Sequence, residues 1–170
     1  VAKLRVSTEE VPFRWMTGTQ SHEGIAGTKA AIDHIAWIGR EVSGNEGLER
    51  REALKVAYTA IEDHERELCL RMIHGLTDID GLKIWGITDP ERITERSPTV
   101  SFTHPKMAAS EIGSLLAERG IFVWAGNFYA LELTEALGLE PEGVLRVGLL
   151  HYNSMEEVDF FLDSIREILE

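Results

Sequence analysis

The second half of this 170-residue chain alternates strand-forming runs with helical segments, and this order restricts the fold more than any other feature. Runs of β-branched and aromatic residues predict strands, and apolar residues at intervals of three and four predict helices. The predicted strands are residues 82–87, 99–103, 121–124 and 144–150, and the predicted helices are residues 106–119, 129–137 and one that starts at Ser154. This order predicts a small, mainly antiparallel sheet with helices packed on one face.

The first half of the chain predicts two helices, which makes the whole an α+β fold. A helix over residues 23–42 has an apolar stripe, and Trp37 adds apolar surface to another face. We therefore expect this helix to be covered on more than one side. The residues that share the stripe are Ile25, Thr28, Ile32 and Ile35.

The second predicted helix is long and runs from residue 46 to about 75. Its apolar stripe contains His64, which we interpret as a hydrogen-bonded core or boundary histidine. No zinc motif is present, because Leu68 stands where H-E-x-x-H needs its second histidine. Cys69 follows within an apolar helical run and is interpreted as an inert packed thiol.

Composition narrows the possible partners. The formal net charge of -12 argues against binding to nucleic acid or anionic membranes. A single cysteine excludes an intramolecular disulfide and fits a reducing cytoplasm. No apolar run reaches the length of a transmembrane helix.

Arg146 stands alone among apolar residues in Val-Leu-Arg-Val-Gly-Leu-Leu. An unpaired buried guanidinium is unfavourable, so its position needs a physical reason. It could lie on the solvated side of a half-buried strand. It could instead bind an anion such as a substrate carboxylate, which a guanidinium grips through two parallel hydrogen bonds.

Two segments resemble one family. One is Gly-Ile-Phe-Val-Trp-Ala-Gly from Gly120, followed by Val-Leu-Arg-Val-Gly-Leu-Leu-His-Tyr-Asn-Ser from Val144. The other is Arg-Trp-Met-Thr-Gly-Thr-Gln from Arg14, followed by Gly-Thr-Lys-Ala-Ala-Ile-Asp from Gly27. In this order they resemble the C-terminal part of class V aminotransferases of pyridoxal phosphate (PLP) fold type I, and most of all the cysteine-desulfurase-like proteins. The resemblance covers essentially the whole chain.

The resemblance implies roles for two residues. Thr19 matches the threonine that contacts the PLP phosphate, commonly across a dimer interface, and Arg146 matches the ligand of the substrate carboxylate. The lysine that forms the Schiff base lies upstream of this segment in the family, so we expect no catalytic residue here. We expect PLP to bind in the full-length parent, and we expect this fragment alone to bind none and to be inactive.

The family's desulfurase motif is not reproduced. Its R-x-G-H-H-C pattern corresponds here to Trp124-Ala-Gly-Asn-Phe-Tyr129, so a phenol occupies the cysteine position. A phenol cannot accept sulfane sulfur as a thiolate does. Tyr129 could be a packed aromatic, or Tyr129 and Asn127 could shape the substrate pocket.

The resemblance also predicts a division of the chain. Residues 1–45 would pack on the absent PLP-binding large domain, and residues 46–170 would form the C-terminal α+β domain with its long connecting helix. A start at Val1 rather than Met suggests a fragment of a longer enzyme that acts on a small amino acid, with a homodimer or self-association expected. The alternative is a non-catalytic α+β module for ligand binding or dimerisation.

Overall fold

The computed structural model describes residues 8–16 and 18–169. Thr17, which belongs to the motif that starts at Arg14, and the first seven residues of the predicted segment 1–45 lie outside the described residues. The helices are α1 (His22–Ser43), α2 (Arg50–Thr77), α3 (Ala109–Glu118), α4 (Leu131–Ala136) and α5 (Met155–Leu169). The strands are β1 (Lys83–Trp85), β2 (Thr99–Thr103), β3 (Trp124–Gly126) and β4 (Val144–Gly148). None of the described helices is long and apolar enough to cross a membrane.

The chain forms two compact units, Val1–Tyr58 and Thr59–Glu170, and the boundary between them falls inside α2. In the first unit, α1 begins after Ser21, whose hydroxyl accepts a hydrogen bond from the Gly24 N–H at 3.3 Å. This is the capping role typical of serine at that position. The helix ends at Gly44, where a φ of 65° suits glycine.

Small residues bring α1 close to the first turns of α2. Ala36, Gly39, Ala53 and Ala57 are all buried. A Cβ atom on Gly39 would lie 1.8 Å from the carbonyl oxygen of Ala53, so only glycine fits there. The predicted apolar stripe through Ile25 and Ile32 does not form this contact, because both side chains are exposed in the described part of the chain. Trp37, which was also expected to be covered, is exposed as well.

The second unit contains a four-stranded sheet in the order β1-β2-β4-β3, with every neighbouring pair antiparallel. One face packs on helices and forms a single core with part of α2, α3 and α5. This confirms the predicted small antiparallel sheet with helices on one face. Its largest buried side chains include Leu68, Met72, Val100, Phe102, Ile112, Leu116, Leu145, Leu162 and Ile165.

Two polar contacts join α2 to the segment that ends in α5. His64 Nε2 lies 2.9 Å from the carbonyl oxygen of Asn153, which confirms that this histidine is hydrogen-bonded. Arg71 pairs with Asp159 at 2.6 Å. The cap of α5 is reciprocal, since the Glu157 N–H donates to Ser154 Oγ and the Ser154 N–H donates to Glu157 Oε2.

Candidate functional site

Arg146 lies on β4 with its side chain on the face of the sheet opposite the helices. Its neighbours in the strand, Leu145 and Val147, are buried, whereas Arg146 is exposed. Successive residues of a strand point to opposite faces, so an arginine between two core residues must face outward. Ser101 of β2 and Trp124 of β3 are its cross-strand partners. The structure therefore places Arg146 on the solvated face of the sheet, where an anion could also reach its guanidinium.

The guanidinium of Arg146 stacks on an aromatic ring. Its Cζ atom is 3.8 Å from the centroid of the Phe128 ring. Among the described residues, no carboxylate pairs with Arg146, and neither Glu132 nor Glu135 reaches it. A stacked guanidinium keeps its in-plane N–H groups directed away from the ring, so these donors are open to an anion.

A tight turn places Phe128 against Arg146. Phe128 and Tyr129 have φ angles of 57° and 62°, and the Ala130 N–H donates to the carbonyl oxygen of Asn127 at 2.8 Å. Two positive φ angles at the central residues are the pattern of a type I′ turn, which usually holds glycine or asparagine there. For residues with a Cβ atom this conformation costs about 1–2 kcal/mol each.

The side chain of Asn127 stabilises this turn from inside. Its Oδ1 accepts from the Tyr129 N–H at 3.2 Å, and its Nδ2 donates to Glu140 Oε1 at 3.2 Å. The same Glu140 oxygen accepts a short hydrogen bond from the hydroxyl of Thr134 on α4. Asn127 thus belongs to the turn whose Phe128 contacts Arg146, and most of its own hydrogen-bonding capacity is used within the chain.

Tyr129 is fully exposed, so it is not the packed aromatic that was one alternative from sequence. Trp124 is also largely exposed, at 69%. Two aromatic residues therefore neighbour Arg146: Phe128 contacts it, and Trp124 lies across from it in the strand pair. The part that Asn127 and Tyr129 play in a substrate pocket stays a prediction.

Thr19 belongs to the first unit and is exposed just ahead of α1. Its hydroxyl has no hydrogen-bond partner among residues 8–16 and 18–169. A groove of about 560 Å³ begins at Gln20, the next residue, and runs along the first turns of α1. Lys29 and Arg50 line it, and Lys29 pairs with Asp33. The Thr19 hydroxyl, the helix N-terminus and the Arg50 guanidinium are groups that suit a phosphate.

Cys69 lies in the core of the second unit and is 2% exposed. Burial raises the pKa of its thiol, which disfavours the thiolate needed for nucleophilic attack. It lies on α2 and is not part of the turn that holds Tyr129. Within the described ranges, no group of histidine, cysteine and carboxylate side chains could hold a metal ion.

Sequence reasoning missed Phe128 and Glu140. Phe-Tyr is not a turn-forming pair, and nothing in the sequence pairs residue 140 with residue 127. Asn127 was the available signal, because asparagine favours turns and hydrogen-bonds to nearby backbone.

Known proteins are similar to this chain in sequence and in fold. A family model described as aminotransferase class-V matches residues 2–161. The aminotransferase-like protein FGM3 of Gibberella zeae is 34% identical over 117 residues, which make up 68% of this chain and 29% of that protein. A probable cysteine desulfurase of Pseudomonas putida is 28% identical over 164 residues, 96% of this chain and 34% of the relative.

Solved structures show the same architecture. The apo structure of a cysteine desulfurase from Thermococcus onnurineus has a TM-score of 0.72 at 25% identity, covering 93% of this chain and 34% of that one. The cysteine desulfurase CsdA of Escherichia coli matches in fold with a TM-score of 0.69, at 24% identity over 96% of this chain and 35% of its own. The present chain therefore spans about a third of the length of these relatives.

Proposed function

Because the chain belongs to the class-V aminotransferase family, we propose that it is the C-terminal portion of a PLP-dependent enzyme that acts on an amino acid. The observation that carries this proposal is Arg146. It is an exposed arginine on an otherwise apolar strand, it stacks on Phe128, and it has no acceptor among the described residues. These features suit a binding residue better than a structural ion pair.

In this proposal Arg146 binds the substrate carboxylate. Two of its in-plane N–H groups donate to the two carboxylate oxygens, a contact that fixes the orientation of the amino acid as well as its position. The apolar sheet beneath Arg146 and the aromatic side chains around it lower the local polarity and strengthen the contact. Orientation of this kind reduces the entropy that the reaction must otherwise lose at the barrier.

In this proposal the chain contacts only the phosphate group of the cofactor. Thr19 and the first turn of α1 would hold that group, since the hydroxyl is free and the helix terminus is positive. PLP, when bound, supplies an electron sink for the amino-acid substrate. The Schiff-base lysine belongs to the remainder of the enzyme in this proposal, so the 170 residues contain no catalytic residue of their own.

We propose a reaction other than sulfur transfer. Tyr129 takes the position of the desulfurase cysteine, and its exposed phenol cannot hold a persulfide. The only thiol of the sequence, Cys69, is buried with a raised pKa. Desulfurase names among the relatives therefore describe the fold and cofactor class of this chain better than its chemistry.

Self-association accompanies this function in our proposal. Ile25, Ile32 and Trp37 expose apolar surface on α1. Covering apolar surface contributes about 25 cal/mol per Å², so a few hundred Å² supplies a driving force of several kcal/mol.

The unpaired buried thiol of Cys69 supports a reducing compartment such as the cytoplasm. The acidic charge supports neither nucleic acid nor anionic membrane as a partner.

The proposal is tested on the full-length protein loaded with PLP. Amino acids, and the amines that correspond to them without the carboxylate, are added one at a time while the cofactor absorbance is followed. We expect at least one amino acid to change the spectrum at concentrations where its matching amine does not. We also expect no sulfide release from cysteine with a reductant. Equal responses to amino acid and amine, or sulfide turnover, would overturn the proposal.

A further inference from the structure

We propose that Phe128 is a positioning residue that holds Arg146 ready for its ligand, and that the turn presenting Phe128 is pinned by Asn127 and Glu140. This inference deepens the proposed function and rests on it. It assigns roles to Phe128, Asn127 and Glu140. The contacts of these residues suggest the roles, which their residue types alone do not.

The stack constrains Arg146 without using its hydrogen-bond donors. The guanidinium carbon lies 3.8 Å from the ring centroid of Phe128, within the range of a cation–π contact. The ring covers one flat side of the guanidinium, and the N–H groups project from its edge. An arginine side chain loses much rotamer freedom on binding, and a stacked one has already lost part of it. The ring therefore lowers the entropy loss of carboxylate binding.

The unusual backbone explains why Phe128 is available. An L residue with a φ of 57° is unfavourable, and here the next residue, at 62°, is unfavourable as well. A strained turn persists only where surrounding contacts hold it, and such turns cluster at binding sites. The conformation directs the Phe128 ring back onto β4, over the Arg146 guanidinium.

The side-chain hydrogen bonds that support the turn include the carboxylate of Glu140. Asn127 closes the turn through the Tyr129 N–H, and Glu140 holds Asn127 through its amide. Thr134 in turn fixes Glu140 to α4. Asn127 and Glu140 are both half-buried, so their hydrogen bonds compete less with water than surface contacts do. Removing the Glu140 carboxylate takes away the support of the Asn127 amide and should loosen the turn that carries the Phe128 ring.

The experiment measures the dissociation constant of the amino-acid substrate for the PLP-loaded full-length protein, by titration of the cofactor absorbance. The variants are Phe128→Leu, which keeps bulk without an aromatic face, Phe128→Tyr, which keeps the face, and Glu140→Ala. The matched controls are Phe160→Leu, an exposed phenylalanine on α5, and Glu142→Ala, an exposed neighbour of Glu140. PLP content and thermal unfolding are recorded for every variant.

We expect Phe128→Leu to weaken amino-acid binding by about three- to tenfold, the range of one cation–π contact. Phe128→Tyr should restore binding, Glu140→Ala should weaken it to a smaller degree, and both controls should bind as the wild type does. PLP content should be the same throughout. In an Arg146→Ala background, Phe128→Leu should have no further effect, because the ring acts only through the arginine.

Different results overturn different parts of this account. If Arg146→Ala weakens binding but Phe128→Leu does not, or if the two changes add independently, the positioning role falls and the proposed function stands. If Arg146→Ala leaves amino-acid binding unchanged, the proposed function falls and takes the positioning role with it. A Phe128→Tyr variant as weak as Phe128→Leu also overturns the positioning role.

Discussion

Trp124 on β3 lies directly across from Arg146 on β4 in the antiparallel register. The pair joins an exposed indole to an exposed guanidinium on the face of the sheet that carries no described helix. In the resembling desulfurase motif an arginine takes the place of Trp124. This chain therefore presents an indole beside Arg146 where the motif has a guanidinium, and a ligand here meets less positive charge.

The close contact between α1 and α2 requires a glycine at residue 39, because a larger residue would not fit there. Gly39→Ala should destabilise the protein by about 2 kcal/mol, because its Cβ atom would collide with the Ala53 carbonyl at 1.8 Å and separate the helices. Gly27→Ala is the matched control on the same helix, where nothing lies within 4 Å of the added atom. That change should stabilise by about 0.5–1 kcal/mol through helix propensity.

Chemical denaturation of this chain measures both changes. Equal effects of the two substitutions would show that the close approach at Gly39 is absent in solution.

The cap of α5 predicts a dependence of stability on pH. Two hydrogen bonds to the Glu157 carboxylate hold its pKa below the ordinary glutamate value of 4.5. The Ser154 N–H has the larger effect and the side-chain amide of Asn153 the smaller one. A carboxyl with a lowered pKa in the folded state contributes stability that is complete above its ordinary value and is lost as the pH falls through the lowered value. Glu157→Gln should therefore make stability less sensitive to acid below about pH 4.5.

Thermal unfolding between neutral and acidic pH tests this expectation. The control is Glu118→Gln, a surface change on α3 that removes no hydrogen bond among the described residues. Parallel pH profiles for wild type and Glu157→Gln would contradict the capping role.

Cys69 should be inert while the protein is folded. Its burial raises the pKa of the thiol, so both access and thiolate content are low. Alkylation by iodoacetamide at pH 8 should be slow in buffer and fast in denaturant, as followed by mass spectrometry. Rapid stoichiometric labelling of the folded chain would show a reactive thiol and would weaken the proposal that the enzyme does not transfer sulfur.

The fold was largely predictable because its signals are local. Alternation in β2 and β4, the capping box at Ser154 and the apolar stripe of α5 each specify an element without reference to the rest of the chain. The burial of α1 was less predictable. Its exposed Ile25 and Ile32 follow a helical stripe that no described residue covers, while its true contact uses Ala36 and Gly39, which carry almost no hydrophobic signal.

Arg146 could be singled out from the sequence as a candidate, and its surroundings could not. A lone arginine in an apolar strand is visible in the sequence, but the turn that supports it is not. Phe128 and Tyr129 adopt left-handed backbone that their residue types disfavour, so propensity predicted a helix from residue 129 where the helix begins at Leu131. The link from Asn127 to Glu140 spans 13 residues and follows from tertiary structure alone.

The central claim is that Arg146 binds the carboxylate of an amino acid. The most direct measurement is the dissociation constant of the substrate for full-length wild type, Arg146→Lys and Arg146→Ala, with PLP content as the control. Loss of the guanidinium should weaken binding by about 2 kcal/mol, roughly 30-fold, and lysine should recover only part of it because it cannot form the two-pronged contact. Affinity for the decarboxylated amine should not change. Equal affinity of all three proteins for the amino acid, with PLP bound in each, would contradict the claim.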